Sequence, residues 1–277
     1  MRSRAPSIHH KLLKAMGRTC CGVKGIDALL RLGHSPDRRT SWFLETETQA
    51  LWDGPRFHIA TNSFTEWTTY FYGSQDRGIH RWLRKHARRD WVCVDAGMNF
   101  GFFTCLCAQL CQEIHGFEPV ISLVERARRN CELNQLKNVF LNPAVLTDTP
   151  GTARFHMYRE DSCNLGTGSL VHGHQGRVVT VPATTLDAYC AKVRLTGLNF
   201  IKIDVEGAEH LVLRGASSCL ERFRSTIIFE WNHDSCEEVV RFLRSLNYQF
   251  RTLEGRELDL GQSRLNDGTN VLAVPDH

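Results

Sequence analysis

The chain has 277 residues, of which 42% are hydrophobic and 23% charged, a composition typical of a globular protein with a sizeable core. The net charge of +4 permits an acidic partner without requiring one, and no apolar run approaches the roughly 20 residues of a membrane span. The 11 cysteines are odd in number, lie partly in apolar runs and form no C-x-x-C pair. They argue against a disulfide scaffold and a zinc site, and predict reduced, buried thiols in a cytoplasmic protein.

Residues 1–88 show no regular alternation of strands and helices and are predicted to form an N-terminal extension or lid subdomain. The chain carries no acidic residue before Asp27, a pattern shared by organellar transit peptides and by basic, solvated helices. The lack of a secretory apolar core favours the helix. Short strands are predicted at 42–47 and 56–60, on either side of a turn-forming sequence at 53–55.

Two further segments of this subdomain have a marked composition. Residues 64–73 are rich in aromatic residues and threonine, which suits a strand or a lid over a pocket, with core packing as the alternative. Residues 78–89 predict a helix whose apolar face carries Ile79, Trp82 and Leu83. Its other faces are basic and would suit nucleic acid or a phosphate-bearing substrate. The interleaved aromatics of an RNA-binding module are missing, however, so a nucleic-acid partner is not favoured.

The segment 91–101, WVCVDAGMNFG, opens a regular alternation of strands and helices. It combines a short apolar strand, Asp95 at the strand end and a turn with Gly97, Asn99 and Gly101, and an apolar helix follows. This arrangement brings backbone amides close to a nucleotide-like ligand. The pattern is not the G-x-G-x-x-G of dinucleotide-binding proteins. An acid at the strand end repels a pyrophosphate and suits S-adenosylmethionine, which carries a sulfonium, an ammonium group and a ribose; a nicotinamide or flavin cofactor is the alternative.

The alternation continues to the end of the chain. Strands are predicted at 113–117, 138–146, 152–158, 177–181, 199–205, 225–231, 248–253 and 270–274, and helices at 120–134, 185–193, 208–213 and 235–246. This order predicts a doubly wound α/β sheet with right-handed crossovers.

Acidic residues follow several of these strands. Ligands bind beyond the carboxyl ends of the strands in open α/β sheets, so we expect these acids to border one site. They are Asp95, Glu118, Asp204, Glu206 and Glu230. Glu118, at the end of the second strand, is placed to accept hydrogen bonds from two ribose hydroxyls; the alternative role is a cap for the following helix.

The segment 200–216, FIKIDVEGAEHLVLRGA, is the second segment that is rich in candidate site residues. Burying Asp204 or Glu206 without a partner is costly, so Lys202, a ligand or water must face them. Glu209 is assigned to the start of the following helix rather than to the site.

Six segments in order resemble the FkbM family of S-adenosylmethionine-dependent methyltransferases. They are VDAGMNFGFFT, GFEP, NPAVLTDTPG, VPATTLD, IKIDVEGAEHLVLRGA and IIFEWN, and they span Trp91 to Asn232. The resemblance implies a class I methyltransferase, Rossmann-like domain over residues 89–277. Its seven-stranded sheet would be mostly parallel with an antiparallel last strand, and the cofactor would lie over the first two strands. It also implies O-methylation of a hydroxyl on a sugar, glycolipid or natural product.

The family's functional residues carry over position by position. Those that match its cofactor loop are Asp95, Gly97, Asn99 and Gly101. Glu118 matches the ribose-binding acid, Ala144 falls where the adenine is usually enclosed, and Asp204 and Glu206 match the signature acids. The chain departs from the usual family residues at Ala96, Met98 and Phe100, which alters packing around the cofactor but removes no polar contact.

Methyl transfer to a hydroxyl needs a base or a metal to take up the proton. Asp204 or Glu206 is the candidate base, with Glu230 and the loop histidines His172 and His174 in reserve. A magnesium ion held by the three acids is an alternative that nothing in the sequence requires.

The polar loop at 161–176 is the candidate substrate-binding segment, because polar loops on a rigid sheet usually carry specificity. Its candidate contacts are Ser162, Asn164 and His172. The expected partner is a small hydroxylated molecule, with no prediction for the oligomeric state. Two alternatives stay open: an RNA or protein methyltransferase that uses the basic helix at 78–89, and a non-catalytic scaffold that binds the cofactor.

Overall fold

The computed structural model describes residues 8–20, 30, 44–157, 168–171, 177–260 and 265–276 of the chain. Its strands are β1 (Glu45–Gln49), β2 (Arg56–Ala60), β3 (Val92–Ala96), β4 (Glu113–Phe117), β5 (Val139–Asn142), β6 (Val145–Leu146), β7 (Gly151–His156), β8 (Val178–Thr184), β9 (Phe200–Ile203), β10 (Thr226–Glu230), β11 (Tyr248–Arg251) and β12 (Asn270–Pro275). Its helices are α1 (Ile8–Thr19), α2 (Phe64–Tyr72), α3 (Arg77–His86), α4 (Phe102–Leu110), α5 (Ile121–Leu133), α6 (Leu186–Val193), α7 (Glu209–Arg214), α8 (Ser217–Phe223) and α9 (Cys236–Ser245).

A seven-stranded sheet in the order β5-β4-β3-β9-β10-β12-β11 forms the centre of the fold. The strands from β5 to β10 run parallel, whereas β12 runs antiparallel to both β10 and β11. A mostly parallel sheet with an antiparallel last strand is the predicted arrangement, and the prediction is confirmed. The strand order reverses where β3 meets β9, and the carboxyl ends of these two strands therefore border the crevice in which such sheets bind ligands.

The two faces of the sheet pack against different parts of the chain, because successive residues of a strand point to opposite sides. Cys93 and Phe200 belong to a core shared with α4 and the N-terminal helices α1 to α3, while Val94 and Ile201 belong to a core shared with α6 to α9. Trp82 of α3 stacks on Phe200 of β9, with ring centroids 5.5 Å apart. The N-terminal segment thus covers one face of the sheet; its division from the rest near residue 88 stays a prediction.

Residues 64–73 do not form the predicted strand or lid. They form helix α2, whose Trp67, Tyr70 and Phe71 are almost completely buried. The three side chains are spaced at i, i+3 and i+4, which places them on one helical face. The density of aromatic residues obscured this spacing, and the core-packing alternative describes the segment.

The predicted third strand at 138–146 is broken in two. β5 ends at Asn142 and β6 begins at Val145, because Pro143 lacks an N–H group and cannot continue a strand ladder. β6 pairs with β8, and β8 with β7, in a separate three-stranded sheet. Helix α8 was not predicted. The other elements after residue 91 agree with the predictions to within a few residues.

Nine cysteines lie in the described part of the chain; all of them are free thiols, and all but Cys20 are buried. This burial agrees with the prediction, while Cys21 and Cys163 fall outside the described residues. Among the helices that the structure describes, none has the length and apolar content needed to cross a membrane.

Two asparagines, one in α5 and one directly after it, attach the N-terminal hairpin to the domain. Asn130 is fully buried; its Oδ1 accepts the amide of His58 at 2.8 Å, and its Nδ2 donates to the carbonyl of Phe100 at 3.0 Å. Asn134, one turn later, accepts the amide of Arg56 at 2.8 Å in a more exposed position. Asn130 therefore connects β2 directly to the loop that follows β3.

We expect Asn130→Ala to lower the free energy of unfolding by about 1–3 kcal/mol, because it leaves the partly buried amide of His58 and the buried carbonyl of Phe100 without partners. The matched control is Asn134→Ala. Its loss of unfolding free energy should be smaller, because water can replace the hydrogen bonds to the backbone of Arg56. Urea denaturation of both variants checks the difference. Equal losses would contradict the view that burial makes the Asn130 contacts costly to remove.

Candidate active site

The loops that follow β3 and β9 touch at Gly97. A Cβ atom on Gly97 would lie 1.9 Å from the carbonyl oxygen of Asp204, and the residue has a φ of +80°. No side chain fits this approach, and the left-handed conformation is one that glycine adopts without strain. The predicted cofactor loop and the predicted acids are therefore held in backbone contact.

The rest of the cofactor loop also has unusual backbone angles. Asn99 has a φ of +52° and Gly101 a φ of +89°. The Oδ1 atom of Asn99 accepts the amide of Phe100 at 2.7 Å, which stabilises the turn locally. These residues lie together as predicted, and their contact with the cofactor stays a prediction.

Asp95 lies at the end of β3 and is almost completely buried. Its Oδ2 accepts a hydrogen bond from Thr104 Oγ1 at 2.7 Å. Its Oδ1 lies 3.5 Å from Lys202 Nζ and has no hydrogen-bond partner within the described residues. A buried carboxylate oxygen with spare acceptor capacity suits a ligand that carries an ammonium group.

Lys202 is the buried cation between two acids. The strand register places it directly opposite Asp95, and its Nζ lies 3.1 Å from Asp204 Oδ2. Burial lowers the pKa of Lys202, but the carboxylates of Asp204 and Asp95 outweigh that effect and raise its pKa above the ordinary value. Lys202 is thus the partner that the burial of Asp204 requires.

Glu118 lies at the end of β4 and is also buried. Its Oε2 accepts the amide of Asn99 at 3.1 Å, and its Oε1 accepts the amide of Val120, which precedes α5, at 3.0 Å. The capping contact is therefore present, and each oxygen keeps a second lone pair for a ribose hydroxyl. Burial raises the pKa of Glu118 to about 7, although the two amide bonds oppose the rise.

A cleft opens at this edge of the sheet. The predicted site residues that line it are Gly97, Glu118, Ala144, Asp204 and Glu206. Its apolar walls include Phe155 of β7 and Leu170, which come from the small sheet and the segment beside it. An apolar pocket with an acid at one end fits an adenosine group whose ribose lies against Glu118.

Asp204, Glu206 and Glu230 lie near one another at the ends of β9 and β10. Burial, followed by the charges of Asp204 and Glu209, raises the pKa of Glu206 to about 7. Burial and the charges of Asp204 and Glu206 raise the pKa of Glu230 to about 8. Glu230 is half-buried and does not line the cleft. The pKa values of Glu206 and Glu230 therefore lie in the range that suits general acid–base chemistry at neutral pH.

Glu206 has a φ of +55°, the left-handed region that costs a residue with a side chain about 1–2 kcal/mol. Glu209, which the sequence assigned to the helix start, is fully buried and contacts the backbone of this turn. Strained residues of this kind concentrate at functional sites.

Several predicted residues lie outside the described part of the chain: Ser162, Asn164, His172 and His174. Within the described residues, no three His, Cys, Asp or Glu side chains are grouped so that they could hold a metal ion.

The sequence interpretation missed three polar residues of the site: Thr104, Ser169 and Ser235. Thr104 carried a signal, because it is the polar residue of the first turn of an otherwise apolar helix. Ser169 and Ser235 are distant in sequence from the residues they contact, and no local sequence pattern marks them as site residues.

The model of the methyltransferase FkbM domain matches residues 95–250, more than half of the chain. The chain belongs to the FkbM methyltransferase family. Its cofactor is therefore S-adenosylmethionine, and the residues described above fit that group. No curated protein matches the chain.

Three solved structures are similar at low identity. An FkbM methyltransferase from Methylobacillus flagellatus KT is 14% identical with a TM-score of 0.46, over 68% of this chain and 44% of that one. An rRNA methylase from Streptococcus thermophilus is 13% identical with a TM-score of 0.45, over 72% and 96%. A tRNA (uracil-54, C5)-methyltransferase from Pyrococcus abyssi, in complex with S-adenosyl-L-homocysteine, is 16% identical with a TM-score of 0.46, over 84% and 44%. The family assignment rests on the domain match.

In this FkbM chain, we expect Gly97→Ala to weaken binding of S-adenosylhomocysteine by about tenfold or more, roughly 1.4 kcal/mol, because the loops after β3 and β9 must separate. Gly255→Ala is the matched control: Gly255 has a φ of +91° but nothing within 4 Å of its added Cβ. Calorimetric titration of both variants with S-adenosylhomocysteine separates two effects. Gly97→Ala introduces both the steric clash and the backbone strain, whereas Gly255→Ala introduces only the strain. Unchanged affinity in Gly97→Ala would contradict the close contact.

The affinity for S-adenosylhomocysteine should depend on pH through Glu118. Its pKa of about 7 means that the empty site takes up a proton as the pH falls, and a protonated carboxyl has lost acceptor capacity for ribose. We expect affinity to fall by up to about tenfold per pH unit below neutrality. Glu118→Gln should bind more weakly and remove this dependence; a dependence that persists in the variant would assign it to another group.

Proposed function

We propose that this S-adenosylmethionine-dependent methyltransferase methylates a hydroxyl group of a small sugar, glycolipid or natural product. The observation that carries the proposal is the position of Asp204 and Glu206, which line the same cleft as the cofactor loop. A hydroxyl must lose its proton during methyl transfer, and a carboxylate at this position is suited to accept it.

The cofactor supplies an electrophilic methyl group on a sulfonium. Asp204 or Glu206 would take up the proton that the substrate hydroxyl loses when the methyl group is transferred to its oxygen. Phe155 and Leu170 give the cleft an apolar wall, which disfavours water beside the reacting groups. Alignment of the reacting groups alone contributes on the order of 7–11 kcal/mol to such a reaction.

The placement of the basic helix favours a small substrate over RNA. The exposed arginines and lysine of the segment 78–89 are Arg81, Arg84, Lys85, Arg88 and Arg89. Arg88 and Arg89 directly precede the amino end of β3, whereas the cleft lies beyond its carboxyl end. A polyanion held by these residues would lie at the opposite edge of the sheet from the acids. The loop residues Ser162, Asn164 and His172 remain the proposed substrate contacts.

The proposal is tested with the purified full-length protein and isotope-labelled S-adenosylmethionine. Calorimetry with S-adenosylhomocysteine and with NADH comes first, and only the former should bind. Label should then appear in hydroxylated sugars or glycolipids, with rates that change little between low and moderate salt. Label in RNA, with a steep loss of binding as salt rises, would establish the nucleic-acid alternative instead. Cofactor binding without transfer to any acceptor would favour the scaffold.

Two variants identify the base. Asp204→Asn and Glu206→Gln each remove one carboxylate from the cleft. Loss of a general base lowers kcat by about 10²–10⁴-fold. We expect one of the two to show this loss with an unchanged affinity for S-adenosylhomocysteine. If both variants keep the wild-type kcat, neither residue is the base.

A further inference from the structure

The turn after β9 is unusual because a glutamate occupies a left-handed position in it. Glu206 has a φ of +55°, and Gly207 after it has a φ of +93°. A glycine at position 206 would form the same turn without strain. The presence of Glu206 therefore points to its side chain as the reason for the residue.

A second glutamate holds the backbone on both sides of Glu206. The Oε1 atom of Glu209 accepts the amide of Gly207 at 3.1 Å and lies 3.4 Å from the amide nitrogen of Val205, which also donates to it. Its Oε2 accepts a hydrogen bond from Ser235 Oγ at 2.9 Å. Glu209 is fully buried. Burial raises the pKa of Glu209, and the hydrogen bonds that its two oxygens accept oppose that rise by favouring the ionised carboxylate.

The carbonyl of Glu206 is fixed as well. Ser169 Oγ donates to it at 2.7 Å, from the segment that also borders the cleft through Leu170. Three backbone groups around one residue are thus held by α7 and by the segment at 168–171. No other acid of the cluster has its backbone held by side chains in this way within the described residues.

The carboxylate of Asp204, unlike that of Glu206, is held in an ion pair. Its Oδ2 is paired with Lys202 at 3.1 Å, and the positive charge of Lys202 stabilises the carboxylate and makes it a weaker proton acceptor. No hydrogen bond or ion pair within the described residues occupies the carboxylate of Glu206, which lines the cleft.

We propose that Glu209 is a positioning residue that, through the amides on either side of Glu206, holds Glu206 in place as the general base of the reaction. The inference rests on the proposed transfer to a hydroxyl. Glu206 is the catalytic residue in it, and Ser169 supports the same turn from the opposite side.

The charges around Glu206 agree with this assignment. Asp204 on its own loop and Glu209 on α7 raise its pKa, Lys202 on β9 lowers it, and Glu230 faces the cluster from β10. With burial, these charges bring the pKa of Glu206 to about 7, where a general base is most effective at neutral pH.

The experiment separates the two effects of Glu209 with two variants. Glu209→Gln keeps an oxygen for the amides of Val205 and Gly207 but removes the negative charge. We expect its maximal kcat to stay within about threefold of wild type, while the acid limb of kcat/KM moves to lower pH by about half a unit to one unit. Glu209→Ala removes the hold on the turn, and its kcat should fall by about 10²-fold with the affinity for S-adenosylhomocysteine largely retained.

Glu66→Gln is the matched control. Glu66 of α2 is equally buried, and it accepts the amide of Ala60 and pairs with Arg126 of α5. Neutralising it should leave the acid limb in place. Thermal unfolding and S-adenosylhomocysteine binding of every variant identify losses that come from misfolding.

Three outcomes overturn the inference while the proposed function stands: an acid limb in Glu209→Gln that coincides with that of Glu66→Gln, full turnover in Glu206→Gln, or a loss in Glu209→Ala that only follows its loss of folded protein. Failure of the wild-type protein to methylate any hydroxylated acceptor, despite binding the cofactor, instead rejects the proposed function and the inference together.

Discussion

The structure depends on a buried cation shared by two carboxylates. Lys202 lies between Asp95 and Asp204, and all three are placed by the register of β3 against β9. A buried ion pair that loses one partner costs several kcal/mol, so these strands cannot shift relative to each other without exposing an unpaired charge. The same triad joins the cofactor loop to the acidic turn, and the geometry of both therefore depends on one side chain.

The cleft contains more acids than cations, which agrees with the charge of its cofactor. S-adenosylmethionine carries a sulfonium and an ammonium group, whereas Glu118, Asp204 and Glu206 line the cleft. After methyl transfer the sulfonium has become a neutral thioether, and its attraction to these acids is weaker by the corresponding Coulomb energy. The excess negative charge thus favours the reactant over the product at the same site.

The sequence was sufficient for the sheet and for the acids at its edge. Buried strands with periodic helices predict a doubly wound α/β sheet, and the family resemblance adds the antiparallel last strand. Asp95, Glu118 and Asp204 lie at strand ends, where ligands bind in such sheets. Long-range contacts were not predictable in the same way. The hydrogen bond from Ser169 to Glu206 joins residues 37 positions apart, and nothing in either local sequence indicates it. The break at Pro143 was visible, but the separate sheet it begins was not.

The packing of Trp82 on Phe200 has a consequence for the synthesis of the chain. The N-terminal helices are translated before β9 and β12, yet their apolar face packs on both strands. Contacts so distant in sequence form slowly and only after translation has passed them. On the ribosome, the apolar face that these helices share with β9 and β12 therefore lacks those partner strands until both have been translated.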